Sequence, residues 1–416
     1  MEKVAEISTE LRARAHELGF ELVGFAPVGE SAHGDFYRRW LDEGRHGEMS
    51  YLAREDAVRA RLDPRAAWPG VRSVVVLGMN YYLDDEVYRD DDLGGTSSPD
   101  PSPSHGIISR YARGRDYHRI IKKKLLDLLG WLELRVGHQL PLARAYVDTG
   151  PVFEREWARR AGLGWQGQNT MLINPRRGSY FFLSTILVEI ELEYDEPFAE
   201  NRCGSCSRCV EACPTGALLG WDEAGAPVID ATRCISYLTI EQRGAIPREL
   251  RPALGNRIFG CDICQEVCPF THKFSGPTSE PGFAARPPGE PPFGVESEPG
   301  ASTSHPGTAS PLLIELLEVA LDEAAWDSFS RGSPIRRSGR AGFARNVCVG
   351  LGNWGSPEAV PVLSAALSDP DPLVRSHAAW ALGRVGSAEA RAALSSRLAV
   401  ESDKSVEEEL RAALAA

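Results

Sequence analysis

Eight of the nine cysteines in this 416-residue chain fall between Cys203 and Cys268. No other feature limits the fold as strongly, because crowded thiols either pair as disulfides or hold metal. The first run is Cys203-x2-Cys206-x2-Cys209-x3-Cys213-Pro214, the bacterial ligand pattern for iron–sulfur clusters. Three thiols separated by two residues can wrap one cluster from a single loop. The fourth, fixed by proline, points to another cluster. The second run is Cys261-x2-Cys264-x3-Cys268-Pro269, with Ile258 where a further cysteine would begin it and Cys234 upstream to complete the set. Crossed ligation assigns Cys203, Cys206, Cys209 and Cys268 to one four-thiolate [4Fe–4S] cluster. It assigns Cys213, Cys234, Cys261 and Cys264 to a second. The alternative is a pair of four-cysteine zinc sites. Cys348, the ninth, lies in an apolar helical pattern and reads as a buried structural thiol.

The rest of the chain divides by composition. Residues 1–195 read as mixed α/β structure, with strands at Glu21–Phe25, Ser73–Leu77, Ala143–Val147 and Phe181–Leu192 and a helix from Tyr117 to Val136. Residues 84–106 interrupt it with seven acidic residues in a Ser/Pro-rich loop. The cysteine module occupies 196–274. Residues 275–311, with nine prolines and six glycines, have linker composition. From 312 to 416 the chain is Ala/Leu-rich and repeats: Gly350 to Ala359 reappears as Ala381 to Ala390, a 31-residue offset. That period indicates stacked helix pairs.

The net charge of −12 argues against a chain that coats nucleic acid with its whole surface. It is unevenly divided. Residues 331–399 hold nine arginines and four acids, so they carry +5 and the remainder −17. No apolar run approaches the roughly 18 residues of a membrane span. The N-terminus has neither a signal-peptide pattern nor a twin-arginine leader, so a cytoplasmic protein without a membrane partner is expected. Two neighbouring clusters move single electrons, so an acceptor is expected in the first 195 residues. No Gly-x-Gly-x-x-Gly after a strand, no Walker loop and no Asp-x-His-x-x-Gly cobalamin run is present there.

The chain resembles the epoxyqueuosine reductases, cobalamin- and iron–sulfur-dependent enzymes of tRNA queuosine synthesis. The matching strings run collinearly along nearly the whole chain: His46-Gly47-Glu48-Met49-Ser50-Tyr51-Leu52, Ser109-Arg110-Tyr111-Ala112-Arg113-Gly114-Arg115-Asp116-Tyr117-His118, Asp148-Thr149-Gly150-Pro151-Val152, Gly162-Leu163-Gly164-Trp165-Gln166-Gly167, Gly260 to Gln265, and Ser333-Pro334-Ile335-Arg336-Arg337. Residues 84–106 and much of 275–311 look like insertions, and Gln168 stands where the family usually has lysine.

The resemblance implies an α+β protein with three parts. These are a nitroreductase-like cobalamin-binding domain, a ferredoxin-like two-cluster domain and a C-terminal HEAT-like domain. It implies a two-electron removal of the epoxide oxygen from the modified wobble base, with ferredoxin or flavodoxin as electron donor and a monomeric enzyme. Asp148 becomes the candidate general acid, on condition that burial lifts its carboxyl above the ordinary value of about 3.9. Tyr117 becomes a second catalytic candidate. Tyr111, Asp148 and Trp165 are the candidate cobalamin contacts. Arg336, Arg337, Arg340, Arg345 and Arg375 are the candidate tRNA grip, with His377 beside them. Other readings are a reductive dehalogenase-like protein, or a non-catalytic electron-transfer or tRNA-binding module.

Overall fold

The computed structural model describes residues 2–84, 102–290, 293 and 306–415. Most of the acidic insertion, 85–101, and the stretches 291–292 and 294–305 lie outside the described residues. The chain forms two compact units that interleave along the sequence. One comprises Met1–Asp84, Asp116–Thr232 and Ile263–Phe283; the other comprises Asp85–Arg115, Arg233–Asp262 and Ala284–Ala416. The cysteine module of 196–274 is therefore shared out between them, whereas the composition suggested a block of its own.

The first unit is built on a four-stranded antiparallel sheet. Its strands are β1 (Leu22–Pro27), β2 (Ser73–Asn80), β3 (Arg144–Tyr146) and β4 (Phe181–Val188), in the order β1-β2-β4-β3. β2 is buried at every position, which explains its unbroken Val-Val-Val-Leu run: a strand covered on both faces needs no polar alternation. Helix α1 (Tyr117–Val136) buries Tyr117, Ile121, Leu125, Leu128 and Leu132, a stripe at helical spacing. Asp116 caps its start by accepting the His118 N–H at 3.0 Å, and Gly137 ends it at φ 83°, a conformation that costs glycine little. Helix α2 (Glu154–Arg160) packs against β1, β2 and β4.

The second unit is mainly helical. Helices α3 (Gly339–Trp354), α4 (Pro372–Val385) and α5 (Lys404–Ala415) pack in succession. Gly352 and Gly383 hold equivalent places in the repeat. A Cβ on Gly352 would lie 2.6 Å from the Trp380 ring, and one on Gly383 2.8 Å from Ala413. Each glycine thus lets the next helix approach closely. Cys348 is fully buried in this core, and burial pushes its thiol well above the ordinary range. The described part of the linker is well packed. Phe283 meets Phe182 edge-on at 5.0 Å in the first unit. In the second unit, Arg286 and Thr308 are buried and Thr308 Oγ1 donates to the Arg113 carbonyl at 2.7 Å. Among the described residues no helix is long and apolar enough to cross a membrane.

Candidate functional site

The four cysteines of the first predicted cluster all lie in the first unit. The Cys209 thiol is pushed up to about 11, first by burial and then by the neighbouring Cys203, Cys268 and Cys206. Cys268 is remote in sequence yet packs with Cys203 around Trp165. Four thiols grouped in this way are a donor set suited to an iron–sulfur cluster, which takes them as thiolates. Among the described residues no three His, Cys, Asp or Glu side chains converge as ligands of a single metal ion.

Trp165, a candidate cobalamin contact, packs among the first set of cysteines. It is 2 % exposed, its Nε1 donates to Cys203 Sγ at 3.4 Å, and its ring meets Phe270 edge-on at 4.8 Å. The indole therefore belongs to the first cysteine set. Gln168 attends the same loop: its amide donates to the Cys206 carbonyl at 2.9 Å and accepts from Trp221 Nε1 at 3.2 Å. Of the second set, Cys213 and Cys264 lie in the first unit, Cys234 and Cys261 in the second. Cys213 Sγ accepts the Ala217 N–H at 3.3 Å.

Asp148 follows β3 in a tight turn. Its φ is 59°, in the left-handed region that side chains other than glycine rarely enter. Two residues on, a Cβ at Gly150 would lie 2.4 Å from the Tyr146 ring, so the turn closes only over a glycine. The Tyr117 hydroxyl donates to Asp148 Oδ2 at 2.7 Å. Tyr117 stacks on Phe182 and on His118, each with ring centroids 4.0 Å apart. His118 Nδ1 lies 2.8 Å from Asp116 Oδ1. Asp148 is exposed, contrary to the burial expected of it. The carboxyl that the fold does push up, to about 8, is that of Glu154, through desolvation and then the charge of Asp148. The sequence reading missed Glu154; its only signal was an acid in the first turn of a helix six residues after Asp148. Tyr111 belongs to the second unit, its ring centroid 6.2 Å from that of Phe259.

The five arginines separate into two kinds. Arg345 is fully buried and donates to the carbonyls of Leu238, Gln242 and Gly244 at 2.6–2.9 Å. No phosphate can reach it, so it leaves the candidate grip. Arg375 is held by Glu401 and by the carbonyls of Asp369 and Pro370, and Arg340 forms a two-pronged pair with Asp369. Both are committed to the repeat core. His377 is buried as well: its Nε2 accepts the Ile246 N–H at 3.2 Å while Nδ1 donates to the Leu373 carbonyl. Arg336 and Arg337 remain about half exposed, at 55 % and 53 %, beside Asp327 and Glu241.

The thiol set and the repeats define a two-cluster iron–sulfur protein with a helical-repeat module. Family profiles agree: residues 202–271 match a 4Fe-4S double cluster binding domain, 61–149 match epoxyqueuosine reductase QueG, and 335–415 match HEAT repeats. The epoxyqueuosine reductase of Pseudomonas aeruginosa is 39% identical over 387 residues, covering 92% of this chain and 95% of its own. That of Escherichia coli is 37% identical over 380 residues, covering 91% and 89%. The chain belongs to the epoxyqueuosine reductase family. A crystal structure of epoxyqueuosine reductase with an epoxyqueuosine-modified tRNA stem loop matches with a TM-score of 0.79 at 28% identity, covering 99% of this chain and 98% of that one. The Bacillus subtilis enzyme, captured with its catalytic aspartate loop swung out of the active site, matches with a TM-score of 0.77 at 27% identity, covering 99% and 98%.

Proposed function

We propose that this protein reduces epoxyqueuosine to queuosine in tRNA, with Asp148 as the proton donor. The reaction takes two electrons and two protons. The two carbon–oxygen bonds of the epoxide break, an alkene forms and the oxygen leaves as water. The observation that carries the assignment of Asp148 is its pairing with Tyr117, in a unit that also holds four grouped cysteines.

Cobalamin, held in a nitroreductase-like first domain, would supply a strongly reducing centre for the substrate. The residues present suit such a guest. Tyr117, His118 and Phe182 form a stacked wall next to an exposed carboxyl. Bound cofactor and tRNA would exclude water from Asp148. The Tyr117 hydroxyl then fixes which carboxyl oxygen faces outward: with Oδ2 engaged, Oδ1 is left to carry the proton to the epoxide oxygen. Cys203, Cys206, Cys209 and Cys268 hold one cluster and Cys213, Cys234, Cys261 and Cys264 the other. Both pass single electrons from a ferredoxin or flavodoxin. Arg336 and Arg337 contribute phosphate contacts to the anticodon arm. The enzyme works as a cytoplasmic monomer. Deleting the gene tests this reading: tRNA from the deletion strain should accumulate epoxyqueuosine, and normal queuosine there would overturn it.

A further inference from the structure

Asp148 is held from behind by a second carboxyl that the mechanism above leaves idle. Glu154 begins helix α2, and its Oε1 accepts the backbone N–H of Asp148 at 2.9 Å. That amide belongs to a residue at φ 59°. A non-glycine residue in this region is strained and persists only where its surroundings hold it there. The turn bearing Asp148 is therefore strained, with a bond from a rigid helix across its most strained residue. In the Bacillus subtilis relative the catalytic aspartate loop is found swung out, so a loop of this kind has two positions and needs something to select one.

We propose that Glu154 is the latch of the Asp148 turn, a positioning residue that keeps the proton donor in place through the Asp148 amide. The inference rests on the reading of Asp148 as the acid. The groups around the latch support it. Asp148 faces Glu154 from the turn, Arg155 from its own helix, and Arg61 from helix Glu55–Leu62. Tyr37, which packs edge-on against Phe153 at 4.9 Å, adjoins Arg61. Desolvation and Asp148 outweigh the two arginines and push the Glu154 carboxyl up to about 8. Below that pH the latch is neutral and still accepts the Asp148 amide. Above it Glu154 ionises and brings a negative charge against the turn that carries Asp148.

The test compares Glu154→Ala and Glu154→Gln with the wild-type enzyme, full length and carrying its clusters. The readouts are amide exchange at Asp148 and the pH profile of turnover. The latch predicts faster exchange at Asp148 in Glu154→Ala, and a kcat lowered between about tenfold and a hundredfold with KM for tRNA unchanged. Glu154→Gln, which keeps an acceptor oxygen but cannot ionise, should restore both and lose the fall in rate above about pH 8. Wild-type exchange and kcat in Glu154→Ala would overturn the latch. So would an unchanged alkaline fall in Glu154→Gln, which decides the matter even where the alanine variant fails to fold. Asp148→Asn serves as the control. If it is inert while Glu154→Ala is normal, only the latch fails; if it turns over normally, the assignment of the acid fails first.

Discussion

Tyr117 and Asp148 meet through a 2.7 Å hydrogen bond that joins the first residue of a capped helix to a residue in the left-handed region after a strand. Neither group could be placed so well by its own segment. Asp148→Asn preserves the shape of the turn and still accepts from Tyr117, but it has no acidic proton to give. Turnover should fall by about 100-fold or more, the usual worth of a positioned general acid, with clusters and tRNA affinity retained. Tyr117→Phe should lower turnover less, because it loses one hydrogen bond while keeping the ring stack. Parallel single-turnover assays with the epoxide-bearing tRNA check both.

Trp165 bears on the potential of the first cluster. A hydrogen bond to a ligand sulfur favours the reduced, more negative cluster and so raises its potential. Trp165→Phe keeps the ring against Phe270 and removes only the N–H to Cys203. One cluster should become harder to reduce by about 40 mV if the bond is worth ~1 kcal/mol. A redox titration followed by electron paramagnetic resonance would read this directly.

Cys268→Ala tests the crossed ligation. The variant should lose the cluster that Cys203, Cys206 and Cys209 share, leaving about half the iron of the wild type, although Cys268 lies in the other cysteine run. Iron analysis of anaerobically purified protein decides it.

Charge reversal at Arg336 and Arg337 should weaken tRNA binding and make it less salt-dependent, by about 0.7–0.9 in log–log slope for each phosphate that an arginine no longer neutralises. Arg345→Ala should behave differently. It strands buried carbonyls that the guanidinium now satisfies, so the expected result is a loss of stability of about 3 kcal/mol. Binding titrations at several salt concentrations, with thermal unfolding alongside, separate the two kinds of arginine.

His377 predicts an acid weakness in the helical unit. Burial, then Arg251 and Arg345, hold its pKa well below the ordinary 6.5. The folded unit therefore binds fewer protons than the unfolded chain, and its stability falls as pH drops below about 6.5. Glu401, held at about 2 by Arg375 and Arg397 despite its burial, loses its contribution only at lower pH, from about 4.5 downward. Unfolding midpoints at pH 7 and pH 5 should differ in the wild type and differ less in His377→Gln.

Much of this was legible in the residues. Cysteine spacing assigned Cys268 to the first run, and in the fold Cys268 packs with Cys203 around Trp165. The helix at Tyr117–Val136 and the buried strand from Ser73 followed from periodicity and apolar runs. The 31-residue offset indicated stacked helix pairs, and the structure adds that Gly352 and Gly383 let neighbouring helices touch. What escaped was which polar and charged groups the fold buries. A charge count treats Arg345 and Arg336 alike, although one is sealed among carbonyls and the other faces solvent. The raised carboxyl was expected at Asp148 and is found at Glu154, because only the folded chain shows which acid the helix start desolvates. Nor did anything in the residues show that the Trp165 N–H reaches a cysteine sulfur.

The most direct measurement is turnover of a defined substrate. The protein, purified without oxygen and supplied with cobalamin, a low-potential reductant and tRNA bearing epoxyqueuosine, should convert that nucleoside to one lighter by a single oxygen atom, as read by mass spectrometry. An unchanged nucleoside mass, with both clusters and bound cobalamin shown intact by spectroscopy, would contradict the account.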